Sequence, residues 1–247
     1  MSKRWVKVVI GVVLGVVLAA ILLWSFAQAG AWVYIHWIKD DAPKVLGNDD
    51  ALCGAPAATT PTGATTPTPA TGAIANGNTW TVAAGSQVGY RVVEVLLGQD
   101  TEGVGRTSTI TGSLTLEGAM VSQATFVVDM NSLVSDDARR DSKFSGQIME
   151  AATFPTSTFT LTQPIDLGSV PAECQEITAS ATGTMELHGV TNPVTFDVTA
   201  KRSGGVIAIS GSFDIAFADY GIANPSNAAV TTQDHGLIEF ALAFAQG

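Results

Sequence analysis

Apolar and polar residues alternate in short runs from Thr79 to Phe244, with glycine, proline and polar residues between the runs; this pattern most constrains the fold. A side chain on the same face at every second residue is the period of a strand buried on one side. Trp80 to Val82 opens the series, and Gln87 to Val95 then aligns Val88, Tyr90 and Val92. Thr109 to Leu116 and Gln123 to Met130 are joined by a turn too short for anything but a hairpin, with Phe126, Val128 and Met130 on one face. Thr158 to Thr162, Glu176 to Leu187, Asn192 to Lys201, Val206 to Phe217 and Leu237 to Phe244 complete the series, so that Phe196 and Val198 share a face, as do Phe213, Ile215 and Phe217, and Phe240, Leu242 and Phe244. About eight strands with turn signals between them predict an all-β antiparallel barrel or sandwich. Gly98 to Arg106, polar and glycine-rich, reads as a connection.

One stretch breaks the alternation. In Arg139 to Thr162, Phe144, Ile148, Met149 and Phe154 recur at roughly helical spacing, and Pro155 stops a helix before the chain re-enters strand at Phe159. The stretch is a short helical cap with an apolar underside. Either it closes a cavity or it plugs one end of a filled core.

The N-terminal part obeys different rules. Val6 to Phe26 is apolar after one charge and long enough to cross a bilayer. Lys3, Arg4 and Lys7 at its start place the N-terminus in the cytoplasm and the rest of the chain outside. Ala27-Gln28-Ala29 also resembles a cleavage site, which would release a secreted protein near Ala29. The length of the run and the aromatic patch Ala31 to Ile38 favour an uncleaved single-pass anchor with interfacial patch over residues 1–38. Gly11 and Gly15 form a GxxxG pair that could bring two anchors together as a weak homodimer. Residues 39–77 read as a linker: the uncharged Thr/Pro/Ala-rich part cannot bury enough surface to order itself and would hold the 78–247 domain away from the membrane.

Charge and chemistry narrow the function. All 22 acidic residues lie beyond the apolar run, where only nine of the 12 basic ones do, and such a surface repels nucleic acid. His36, His188 and His235 have no second ligand at metal spacing, and Cys53 and Cys174 stand far apart. Outside the cell the two cysteines could form a disulfide; the alternative is two separate buried thiols. No nucleophile elbow, phosphate loop or HExxH motif occurs, so no catalytic residue, metal or cofactor is expected. Asp136, Asp137 and Asp141 beside Arg139 and Arg140 read as a solvated helix start.

Several motifs stand in order: Arg140-Asp141 with Phe144, Phe154-Pro155 through Phe159, Leu187-His188-Gly189-Val190-Thr191-Asn192-Pro193-Val194, and Asp219-Tyr220-Gly221-Ile222. With Trp80-Thr81-Val82, Ser86 and Val88 they make residues 78 to 244 resemble the YceI family of exported bacterial proteins. The resemblance implies a lipocalin-like antiparallel eight-strand barrel with a short helix, whose interior holds a polyisoprenoid chain such as a quinone tail or prenyl carrier. Its implied lining is Tyr90, Val92, Phe126, Val128, Phe144, Phe154, Phe159, Phe196, Phe213, Phe217 and Phe240, with Arg139, Arg140 and Lys143 at the mouth for a head group. The expected function is non-catalytic binding, storage or transport of isoprenoid lipid at the outer face of the cytoplasmic membrane. The alternative is a structural or adhesive domain with a filled core on a glycosylated stalk.

Overall fold

A computed structural model of the chain describes residues 3–39, 42–47 and 78–246. Helix α1 (Lys3–Val33) runs on through a π-helical turn, Tyr34–Ile38. Within it Val12–His36, 25 residues, is long and apolar enough to cross a membrane, and its first fifteen residues, Val12 to Phe26, are exposed throughout. Gly11 and Gly15 both lie in α1. Cys53 and the Thr/Pro-rich run lie outside the described residues.

The strands come in chain order: β1 (Asn78–Val82), β2 (Gln87–Leu96), β3 (Gln99–Thr107), β4 (Ile110–Glu117), β5 (Met120–Asp129), β6 (Val134–Ser135), then helix α2 (Ala138–Lys143). After it come β7 (Thr156–Leu161), β8 (Ile165–Asp166), β9 (Glu176–Leu187), β10 (Val190–Ser203), β11 (Val206–Ala216), β12 (Val230–Thr232) and β13 (His235–Gln246). β1, β4, β5, β7, β9, β10, β11 and β13 pair in that order, and β13 returns to β1, closing an antiparallel eight-strand barrel. The long β13 pairs β2 at Leu237–Ala241 and β1 at Phe244–Gln246, so β1 and β2 share one edge. Ser86 pins the break between them: its Oγ donates to the Ala83 carbonyl at 2.8 Å and accepts from the Ala243 N–H at 2.9 Å.

The alternation read from the sequence sets which side chains face inward, but one expectation is corrected. Gly98 to Arg106 is not a connection: it holds β3, paired with β2 from Val88↔Thr107 to Leu96↔Gln99. The glycines are there for packing, since a Cβ on Gly105 would overlap the Tyr90 ring and one on Gly89 would meet the Gly105 carbonyl at 2.5 Å. A strand that gives up side chains so that a neighbour can lie across it loses the alternation by which it would be recognised. The cap also differs in detail: α2 passes into a π-helical turn, Phe144–Ile148, and the helical path ends there, well before Pro155.

Two buried clusters stand at the two ends of the barrel. One holds Trp80, Leu114, Leu242 and Phe244, the other Met130, Phe144, Met149, Met185, Ile215 and Tyr220. The side chains between them are only partly covered, although they point inward.

Candidate functional site

The interior is a cavity of about 680 Å³, within the roughly 300–1,000 Å³ usual for small-molecule sites. An eight-strand barrel can fill itself or hold one small ligand, and this one is open inside. Phe126, Val128, Phe159, Phe196 and Phe213 line the cavity and stay half-buried because they look into its open space. Their rings form a connected wall: Phe196 stacks on Phe213 at 4.4 Å between centroids and meets Phe159 at 5.4 Å and Phe240 at 5.7 Å. Tyr90 and Val92 continue it towards one end, where Tyr90 stacks on Phe144 at 4.5 Å, and Phe217 completes that end.

Phe154 is the exception among the eleven expected lining residues. It is not on the cavity; its ring meets His188 edge-on at 4.7 Å and covers the turn at Gly189, where a Cβ would approach it to 2.5 Å. His188 (φ 52°) and Gly189 (φ 74°) are the two central residues of the β9–β10 hairpin, the left-handed pair that a two-residue turn requires. The helical spacing that grouped Phe154 with Phe144 does not hold, because the helix has ended before it.

The polar mouth lies at the Phe144 end. Asp137 caps α2 by accepting from the Arg139 N–H at 2.8 Å, and Asp141 accepts from the Ser135 N–H at 2.8 Å and its Oγ at 2.6 Å, which ties α2 to β6. Arg140 pairs with Asp136 and lies 3.8 Å from Glu94 on the cavity wall. Burial disfavours its charge, yet Asp136, Glu94 and Tyr90 together outweigh that and hold its pKa above the usual value. Burial pushes the Tyr90 phenol up, so it stays protonated. Lys143 reaches across the mouth and donates to the Pro225 carbonyl at 2.7 Å. Arg139 is exposed at the cavity edge and makes no ion pair among the described residues. Of the three expected mouth cations, two are therefore engaged within the protein.

The opposite end is covered by the chain between β8 and β9, with Leu167, Val170 and Pro171 on the cavity. This segment is held by Leu167 N–H to the Ala119 carbonyl at 3.0 Å and by Cys174 N–H to the Arg202 carbonyl at 2.8 Å. Cys174 is disulfide-bonded. Among the described residues no group of three His, Cys, Asp or Glu is placed to hold a metal ion.

The sequence reading missed a cluster on the outer wall. Glu239, fully buried on β13, takes Arg106 Nη2 at 2.7 Å and Nε at 2.9 Å, with Arg91 Nε 3.5 Å away. Each arginine also donates outward, Arg91 to the Pro43 carbonyl and Arg106 to the Lys44 carbonyl, and Arg91 pairs with Glu102. Three charged residues at outward positions of β2, β3 and β13 were visible, but only the strand register brings them together.

A closed antiparallel eight-strand barrel with an apolar, open interior and a polar mouth defines a lipocalin-like barrel. Residues 80–244 match the YceI-like domain, and the chain belongs to that family. A UPF0312 protein of Vibrio vulnificus is 35% identical over 94 residues, covering 37% of this chain and 46% of that protein. The chain thus spans about half the length of the curated relatives it matches. A polyisoprenoid binding domain from Saccharophagus degradans, implicated in plant cell wall breakdown, shares the fold with a TM-score of 0.56 at 20% identity, over 70% of this chain and all of that one. BcnA of Burkholderia cenocepacia does so with a TM-score of 0.51 at 22% identity, over 66% of this chain and 98% of that one.

Proposed function

We propose that the barrel is a non-catalytic binding module for a long isoprenoid chain, a quinone tail or polyprenyl carrier, tethered by α1 to the outer face of the cytoplasmic membrane. The observation that carries this reading is the cavity: open from the cap to the far end, walled by phenylalanine and aliphatic side chains, and polar only near the rims. Each methylene-sized group transferred from water into such a wall contributes about 0.8 kcal/mol, so a long chain needs few polar contacts. The fold shared with the Saccharophagus polyisoprenoid binding domain points the same way. The open interior counts against an adhesive domain with a filled core.

In this reading Phe126, Phe159, Phe196, Phe213 and Phe240 hold the chain. Arg139, which makes no ion pair among the described residues, faces the head group, while Arg140 and Lys143 hold the mouth closed. Pairing of two anchors through Gly11 and Gly15 remains an additional proposal. Mass spectrometry of organic extracts from the full-length protein, purified from its native membrane, tests the function: a polyisoprenoid in near-stoichiometric amount is expected. A folded protein that neither retains such a lipid nor takes one up would sink the reading.

A further inference from the structure

We propose that the barrel is docked with its Arg139–Lys143 mouth turned towards the bilayer that α1 crosses, so that the outer leaflet itself is the surface this rim meets. The inference rests on the lipid-binding reading for its purpose, but its evidence is the path of the chain after α1. Gln28, near the end of the helix, touches the tip of the β2–β3 hairpin: Gln99 Nε2 donates to its Oε1 at 3.4 Å, and its side-chain nitrogen would be 2.9 Å from a Cβ on Gly98. Lys39 then donates to Thr101 Oγ1 at 2.6 Å. Pro43 and Lys44 come next, their carbonyls taken by Arg91 and Arg106. Gln28, Lys39 and Lys44 thus meet the outside of β3 in order, at positions 99, 101 and 106. Traced backwards, the contacts end at Gln28 beside the hairpin tip, and the apolar stretch of α1 before it, Val12 to Phe26, is exposed throughout.

The hairpin-tip end of the barrel is the mouth. The Leu97 N–H donates to the Ala229 carbonyl at 2.8 Å, Leu96 pairs with Val230, and Ala229 and Val230 lie on the cavity. A helix needs about 20 residues to cross the hydrocarbon core, and counted from Lys7 this places Gln28 at the outer boundary. The hairpin tip is then at the same level, with half-buried Leu96 and Leu97 and exposed Val93 beside it. Charge does not drive this docking, since Glu94, Asp100, Asp136 and Asp137 share the rim with the cations. Position does: Lys39, Pro43 and Lys44 are bonded to the barrel wall, where the sequence reading expected a spacer. A ligand could then pass between leaflet and cavity without crossing water.

The test uses full-length protein in vesicles of phosphatidylethanolamine and phosphatidylglycerol carrying nitroxide-labelled lipid. A fluorophore is attached to Asp100→Cys at the hairpin tip or Glu117→Cys at the opposite end, with the native disulfide left oxidised. Quenching several-fold stronger at position 100 is expected; equal quenching, or stronger quenching at 117, overturns the proposal. Ten Gly/Ser residues inserted between Ile38 and Lys39 leave the Lys39, Pro43 and Lys44 contacts in place but remove the short connection that holds Gln28 at the hairpin tip, and should lower quenching at 100 to the level at 117. Unchanged quenching in that variant overturns the assignment of orientation to the docked helix. The lipid content of the same preparations is read separately. An empty barrel with position 100 quenched removes the carrier function and keeps the orientation, and a filled barrel with 117 nearer the lipid does the reverse.

Discussion

Val128→Trp separates a hollow barrel from a packed one. Val128 points inward from β5, adjoins both buried clusters and is still only half-buried, because its face looks into the cavity. In a close-packed core the added indole would force its neighbours aside at about 1–3 kcal/mol. For a domain of this size that is a fall in Tm of about 2–4 °C per kcal/mol, or roughly 2–12 °C. In a cavity of 680 Å³ the ring has room, and its apolar surface leaves water as it enters the void. The expected result is a lipid-free protein melting within about 2 °C of the parent, with retained lipid falling to background in extracts of the same sample. Differential scanning calorimetry of delipidated protein reads the first quantity and mass spectrometry the second. A Tm drop above about 5 °C with lipid still bound would refute the reasoning, since it would mean that Val128 sits in packed core away from the ligand.

Three further outcomes are expected. Glu239→Ala leaves Arg106 and Arg91 without their buried carboxylate and should cost about 3–5 kcal/mol in urea unfolding; a loss below about 1 kcal/mol would show that the pairs are solvated. Gly105→Ala drives a methyl group into the Tyr90 ring and should cost about 1–3 kcal/mol, with a change in the near-ultraviolet circular dichroism of the Tyr90–Phe144 stack; a parent-like spectrum and melt would count against that contact. Burial raises the pKa of Tyr90 above the ordinary tyrosine value of about 10, so the folded state keeps a proton that the unfolded chain loses. Its contribution is intact below pH 10 and is lost as pH rises above it. Tyr90→Phe should therefore match the parent below pH 10 and be less pH-sensitive above it, and identical alkaline slopes would refute the shift.

Much of the barrel was legible because strand period needs only side-chain order. Phe196, Phe213 and Phe240 fall on their inner faces by alternation alone, and β9 has the boundaries expected of it. β3 was not legible, because Gly103 and Gly105 are small for the sake of Glu94, Arg140 and Tyr90 on other elements, a reason that exists only after folding. The docked segment was hidden for a different cause: the Pro43 and Lys44 contacts are made by backbone carbonyls, which every residue has. Whether the barrel was filled or hollow could not be read at all, since inward phenylalanines suit either state and only their half-burial tells them apart.

The positions of the family motifs bear on ligand selectivity. Phe154 covers Gly189, His188 Nδ1 donates to the Tyr220 carbonyl at 3.1 Å, and Asn192 Nδ2 donates to the Asp219 carbonyl at 2.7 Å. Tyr220 is buried in the cluster at the mouth end. Three motifs distant in sequence thus lock together the β9–β10 turn, the chain before β7 and the turn after β11. They shape one end of the barrel, and Phe154, His188 and Asn192 do so without lining the cavity. The wall itself asks only for apolar side chains of suitable size, a loose requirement that many sequences meet. For the proposed isoprenoid ligand, chain length and bulk would then be selected by cavity shape, and head-group choice would fall to a few rim residues, Arg139 first. Under that proposal, surface substitutions at the mouth would change the ligand's head group and leave the fold untouched.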